Sequence, residues 1–462
     1  MKRGIHMKKA VKYTAAVCAC VMLTGCASDR SSGIVNFFNH DYFYHTTTTQ
    51  TTTEPTEITS VTTVPEVTVP EEPEIPEVTV RPDTGDTLRI VCFNEDVYNY
   101  LGSWKPSGVK CDFLTISGGE YYDELDNYIY TTDPDELADI YIVSQDRLGE
   151  YLSGDRALPV SGVNINKDDT GEMYDYTLND CTDEYGRIVA LSVNNTPGVF
   201  LYNCTVARRV LGTDDPAEVF DSMSNWRKFL NTASEAKRKG FYMTPNYTDM
   251  FRAFGGEAMQ LTDSDGNAAV KSAALDWAEV SRTMYENGYC ADYDVWTQGW
   301  VNAMNSTDYF GMFACSWIAE MTLPAFSSST DWAVCQAPAA YSWDGAYAVV
   351  NPRTDNAKAV EQFLRRVCVN GQISFSSGTI IPNNKTTFRH NSQYNSVDCL
   401  GGQEPYEIYN DVMERITSAT GTSPYDYKAM EFYIRDMKSY ITGNSTIEQA
   451  LDHFQADCRN NR

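Results

Sequence analysis

TLRIVCFNEDVYNYLGSWKPSGVKCDFLTISGGEYYDELDNYIYTTDPDELADIYIVSQDRLGEY (residues 87–151) changes its period several times, and those changes decide the fold class. TLRIVCF (87–93), VKCDFLTIS (109–117) and ADIYIVS (138–144) are apolar runs rich in β-branched residues, which read as strands. Between them, NEDVYNYLG (94–102) offers Asn94 as an N-cap followed by acids suited to a first helical turn. GEYYDELDNYIYT (119–131) has helical spacing, and a third helix is expected through Tyr151. Strands alternating with helices predict a βαβαβ unit, hence an α/β fold with a parallel sheet covered on both faces. Ligands of such sheets bind outside the carboxyl ends of the strands. That rule points to Asn94, Glu95 and Asp96, to residues 117–120, and to Gln145, Asp146 and Arg147.

The N-terminus has a different purpose. Lys2, Arg3, Lys8, Lys9 and Lys12 precede a short apolar run from Tyr13 to Leu23, and VMLTGCASDR (21–30) then turns polar. The run is shorter than the roughly 20 apolar residues a bilayer span needs, and it suits the core of a secretory signal. Met7 offers a second start with a complete basic region of its own. Leu23-Thr24-Gly25-Cys26 resembles the bacterial lipoprotein signal. The resemblance implies cleavage before Cys26, a diacylglycerol on its thiol, and a mature protein anchored outside the cytoplasmic membrane. Residues 26–86 continue as a Thr/Pro/Glu-rich tether, with HTTTTQTTTEPTEITSVTTVPEVTVPEEPEIPEVTV (45–80) at its centre. Such a composition buries too little to offset its ordering entropy, and proline with like charge extends it.

Composition excludes several functions. The formal charge of −27 argues against nucleic acid and anionic membrane surfaces as partners, and it suits a neutral or cationic ligand. Of thirteen cysteines, those beyond Cys26 are irregularly spaced, with no CxxC pair and no zinc-type Cys/His cluster. Several lie in apolar runs (RIVCF, MFACSW, WAVCQAP), where small buried free thiols are expected. Histidine occurs only at 6, 40, 45, 390 and 453, and the chain lacks HExxH, GxSxG and Walker-A patterns. LTDSDGNAAV (261–270) has part of a calcium loop without its distal glutamate, so a hairpin turn is the expectation. The sequence therefore predicts neither enzyme nor metal site nor cofactor.

DEYGRIVALSVNNTPGVFLYNCTVARRVLGTDDPAEVFDSMSNWRKFLNTASEAKRKGF (183–241) narrows the class further. A hairpin leads to a strand ending in Tyr202-Asn203; Gly212 and Pro216 follow, and Trp226 opens a long helix that stops at Lys239-Gly240. Together with DYFGMFACSWIAEM, CQAPAAYSWDGAYAVVNPRTDNAKAVEQFLRRV and SGTIIPNN, this order resembles the extracellular solute-binding proteins of carbohydrate ABC transporters across 87–462. The resemblance implies a type II periplasmic-binding-protein fold, with two α/β lobes joined by a hinge. The first lobe would comprise 87–195 with a returning segment at about 337–385. The second would comprise 196–336 with a C-terminal helical region at about 386–462. It also implies a monomeric, non-catalytic receptor that holds a carbohydrate, an oligosaccharide by preference, in the interlobe cleft and delivers it to membrane permease subunits.

Sugar sites need aromatic faces and planar polar groups. By their place in the family's order of elements, Trp317 and the Trp343-Asp344-Gly345 loop are expected in the cleft. Gln145, Asp146 and Arg147 match a hydroxyl clamp of the maltodextrin-binding relatives. Asn194 and Asn195 fall at the hinge, Asn246, Tyr247 and Asp249 in a loop ahead of a helix, and Tyr425 and Tyr427 near a late family aromatic. Asn94 and Glu95 complete the set, while Trp226 is read as structural. Two other readings stay open: the same fold binding another solute such as a polyamine, and a ligand-sensing or glycan-adhering surface lipoprotein. Arg147 in the cleft would repel a diamine and favours sugar.

Overall fold

A computed structural model of the chain describes residues 75, 77–101, 104–116, 120–152, 155–372, 380–392 and 396–461. Cys26, the tether up to residue 76 apart from Ile75, and residues 117–119 lie outside the described residues, while the tether's expected last stretch, 77–86, packs Val78 and Val80 against the first core. The strand-like runs of the opening segment form β1 (Thr87–Cys92), β2 (Lys110–Thr115) and β3 (Ile140–Ser144), and β1 pairs in parallel with both others. Beyond β3 the sheet becomes antiparallel. β8 (Ala346–Val350), from far along the chain, inserts between β3 and β4 (Ala190–Asn195), and β9 (Ile381–Pro382) closes the far edge, giving the order β2-β1-β3-β8-β4-β9. The expected all-parallel sheet is thus mixed, because the chain returns to this sheet only after building elsewhere.

Both faces of the sheet are covered. Helix Tyr121–Tyr130 buries Tyr121, Leu125 and Ile129, one stripe at i, i+4 and i+8, on the face carrying Val91, Tyr141 and Val143. Each such side chain contributes about 1.5–3 kcal/mol of burial. The opposite face packs Leu88, Ile90 and Ile142 against Val360, Phe363 and Leu364 of helix Ala357–Leu364. The element after β3 is a 3-10 turn over Gln145–Tyr151 rather than the expected α-helix. A Cβ at Gly149 would sit 2.8 Å from the Ser423 carbonyl, so the chain here hugs a distant segment.

The second sheet is antiparallel, in the order β6-β5-β7: β6 (Gly311–Cys315), β5 (Gly198–Asn203) and β7 (Trp332–Cys335). Its core includes Phe200, Phe229 and Phe313, with Trp277 and Tyr433 from helices Ser272–Glu286 and Asp426–Ile441. Trp226 follows the cap residue Asn225 and stacks on Phe254 at 4.1 Å, a packing role. Residues 261–270 form a hairpin in which the Asp263 carboxylate accepts from the Asp265 and Asn267 backbone N–H groups. Among the described residues the ten cysteines form no disulfide with one another.

Three crossings join the sheets. β4 passes to β5 through Thr196 and Pro197, β7 returns to β8 through residues 336–345, and the chain leaves again after β9 for helix Tyr406–Met413, which packs on β5. The first two crossings pair with each other. The Gly198 N–H donates to the Tyr341 carbonyl (2.7 Å) and the Trp343 N–H to the Thr196 carbonyl (3.1 Å). The Tyr341 hydroxyl, inside the second lobe, donates to the Val199 and Ala314 carbonyls (2.9 and 2.6 Å).

Candidate functional site

The carboxyl end of β3 meets the two paired crossings, and there the sheets touch. Gln145 is 1% exposed and every polar atom of it is engaged. Its N–H donates to the Gly345 carbonyl (2.9 Å), and its side-chain Nε2 donates to the Ala419 carbonyl (2.8 Å). Its Oε1 accepts from Ser342 Oγ (2.8 Å), and its carbonyl accepts from Thr420 Oγ1 (2.9 Å). Gln145 therefore ties the first sheet to the second crossing and to the 417–423 segment, and in this structure its side chain acts as a buried joint.

Above this floor stands an ion pair between the lobes. Arg252, from the turn Asp249–Phe254, grips Asp146 with both arms of its guanidinium (2.8 and 2.5 Å). The two side chains are 16% and 13% exposed. Burial works against the charge on Arg252, but the Asp146 carboxylate more than offsets it, so its pKa stands above the ordinary value. The same guanidinium lies 5.2 Å from the ring centre of Trp343. Arg147 is held likewise: its side chain binds Glu150 in bidentate fashion (2.8 and 2.5 Å) and lies 4.0 Å from the Tyr122 ring centre and 4.9 Å from that of Tyr427. Tyr427 belongs to the C-terminal helix Asp426–Ile441, so this stack also spans the junction.

Trp317 adds a second indole. Its Nε1 donates to the Trp343 carbonyl (3.3 Å), and its plane lies 13° from that of Trp296, with ring centres 6.0 Å apart. Asp344 and Gly345 complete the loop with positive φ values of 65° and 151°. Thr196 Oγ1 donates to the Asp344 carbonyl, and Asn194 Oδ1 accepts from the Ala346 N–H (3.0 Å) at the β4 irregularity.

The structure thus gathers Asp146, Arg147, Asn194, Trp317, Trp343, Asp344, Gly345 and Tyr427 at one junction. Other expected residues lie elsewhere. Asn195 is 2% exposed; it accepts from Tyr176 and donates to the Pro382 carbonyl, which makes it a brace to β9. Tyr247 is fully buried in the second core. Asn246 and Asp249 are buried too, at 3% and 6% exposure. Asn246 Nδ2 donates to Asp249 and to the Tyr293 carbonyl, and Trp300 Nε1 donates to Asp249 (3.0 Å), so they scaffold the loop before helix Gln298–Ala303. Burial pushes the Asp249 carboxyl up to about 7, against these hydrogen bonds. Tyr425 packs on the Gly266 turn. Glu95 lines a separate groove with Tyr98, Trp104, Phe113 and Thr115, and Asn94 is half-buried just after β1.

Sequence reasoning missed Arg252, Trp296, Glu150 and Tyr122. Arg252 stands three positions after Asp249 in a loop already singled out, so a search of that loop for a guanidinium partner to Asp146 would have found it. Trp296 carries no such signal. Among the described residues, no group of three or more His, Cys, Asp or Glu side chains could hold a metal ion, and no helix is long and apolar enough to cross a membrane.

No protein-family model and no curated protein matches the sequence. Solved structures do match in fold. A crystal structure of an extracellular solute-binding protein of family 1 aligns with TM-score 0.70 at 15% identity, covering 81% of this chain and 99% of the other. The galacto-N-biose/lacto-N-biose I-binding protein of an ABC transporter from Bifidobacterium longum aligns at 0.60 and 13% identity, covering 82% and 98%. The cyclic α-maltosyl-1,6-maltose binding protein from Arthrobacter globiformis aligns at 0.60 and 15%, covering 81% and 98%. These neighbours are binding proteins, and at such identities the likeness is one of fold. With its two sheets, three crossings and ring-lined junction, the chain has the α/β, two-lobe fold of the extracellular solute-binding proteins.

Proposed function

We propose that the chain is a membrane-tethered receptor that captures a carbohydrate, an oligosaccharide by preference, between its lobes and hands it to the permease of an ABC importer. The observation that carries this reading is the convergence of indole rings and planar charged groups at the crossings. Trp317, half-buried, offers a face for the apolar side of a pyranose ring, and Trp343, 7% exposed beneath the Arg252 guanidinium, backs it; Asp146, Arg252 and Arg147, paired with one another or with Glu150, would turn planar hydrogen-bonding edges to hydroxyls when the lobes part. Each arginine there is matched by a carboxylate, so the junction carries little net charge and suits a neutral ligand. Two guanidinium groups weigh against a polyamine, which would need carboxylates without competing cations. Closure of two lobes around a ligand is an established way to expel water from such a site.

Lipidation at Cys26 is the proposed anchor, and a 26–86 tether would let the receptor reach away from the membrane. Calorimetric and thermal-shift screening of the chain against oligosaccharides, polyamines and amino acids tests the ligand class. Stabilisation by an oligosaccharide is expected through linkage, and stabilisation by polyamines alone would refute the reading. Cys26→Ala should move the protein from the membrane fraction to the medium, and an unchanged membrane fraction would refute the anchor.

A further inference from the structure

Among the described residues three non-glycine positions have positive φ: Asn164, Trp296 and Asp344. Asn and Asp enter this region routinely, whereas a bulky indole at φ 68° is an outlier. Such conformations persist where the surroundings over-determine them, and they concentrate at ligand sites. The surroundings of Trp296 fit that description. The Asn246 amide holds the Tyr293 carbonyl (3.0 Å), the Tyr293 N–H donates to the Pro245 carbonyl (3.1 Å), and Thr297 caps the next helix. Trp300, itself tied to Asp249, lies 5.3 Å from the Trp296 ring.

What this scaffold holds in place is a partly exposed ring. Trp296 is 38% exposed, so its position is not explained by core burial. Its plane is nearly parallel to Trp317, yet their centres are 6.0 Å apart, well beyond the face-to-face contact distance of about 3.5–4 Å. At that separation the two indoles do not close a tight face-to-face contact on each other. Since Trp317 is bonded to the Trp343 carbonyl, Trp317 and Trp296 form a row of two near-parallel rings beside the interlobe junction.

We propose that Trp296 is the outer stacking platform of this row, taking a second or later ring of an extended carbohydrate and so making the site selective for oligosaccharides over monosaccharides. This rests on the carbohydrate reading above. The test is calorimetric titration of the full chain with glucose, galactose and their linear α- and β-linked di- and trisaccharides. It compares the wild type with Trp296→Phe and Trp296→Gly, glycine being the residue that accepts the positive φ without strain. Trp296→Gly should melt at or above the wild-type temperature and lose about tenfold in affinity for the trisaccharide that binds best. Its monosaccharide affinity should be unchanged, and Trp296→Phe should retain most of the preference. Equal trisaccharide affinity in wild type and Trp296→Gly, or equal loss for mono- and trisaccharide, would overturn the proposal. A wild type that binds no member of the series would overturn the carbohydrate reading itself, and this proposal with it.

Discussion

Replacing Asp146 by asparagine would remove the charge that holds Arg252 across the junction while leaving the side chain's shape. The pair is bidentate, at 2.8 and 2.5 Å, and its members are 13% and 16% exposed. Removing one partner of a fully buried pair costs about 3–5 kcal/mol, chiefly by leaving the other charge desolvated. Some water reaches this pair, so about 2–3 kcal/mol is the appropriate scale here. The contact exists only while the lobes touch, so the loss falls on the closed arrangement and raises the opening constant by roughly 30- to 150-fold. Small-angle scattering of the unliganded protein at low salt should therefore show a larger radius of gyration for Asp146→Asn than for wild type. Adding Arg252→Met should restore part of the compaction, because the stranded guanidinium is then gone. Superimposable scattering curves for wild type and Asp146→Asn, together with equal melting temperatures, would refute the claim that this pair holds the lobes together.

Other consequences concern the rings, buried acids and crossings. Trp317→Ala should weaken sugar binding by about 1–2 kcal/mol in calorimetry with Trp317→Phe intermediate, and unchanged affinity in a folded variant would reduce Trp317 to packing. Burial pushes the Asp180, Asp249 and Glu320 carboxyls up to about 7. The folded chain then holds more protons than the unfolded one between about pH 4 and 7, so stability is fullest near the low end and declines as pH rises through about 7. Scanning calorimetry should find a higher melting temperature at pH 5 than at pH 8; the opposite order would contradict these protonation states. A methyl group at Gly198 would lie 2.3 Å from the Tyr341 ring, between two paired crossings. Gly198→Ala should cost about 1–3 kcal/mol in urea unfolding, and wild-type stability would refute that packing.

The opening segment was legible because strand and helix periods there are local: β1, β2 and β3 fall within the runs read from residue type alone. What escaped was everything set by distant chain. β8 enters between β3 and β4 in antiparallel pairing, and the 3-10 turn after β3 is shaped by Ser423 and Ala419. The site divides in the same way. Asp146, expected after a strand end, and Trp317 and Trp343, expected from the resemblance, do lie together at the junction, while Arg252, 106 positions from its partner, was not foreseen. Asn246 and Asp249 have the right chemistry for sugar, but a local turn consumes it in holding a loop. Residue type alone cannot say whether a polar group is spent within the protein or kept for a ligand.

The central claim is that a neutral carbohydrate is held at the junction of the crossings. A crystal structure of the protein with the oligosaccharide that stabilises it most tests this directly. The account predicts sugar rings against Trp317 and Trp296, with hydroxyls on Asp146, Arg252 or Arg147. Sugar bound instead in the Tyr98–Trp104 groove of the first lobe, with the junction unchanged, would contradict it.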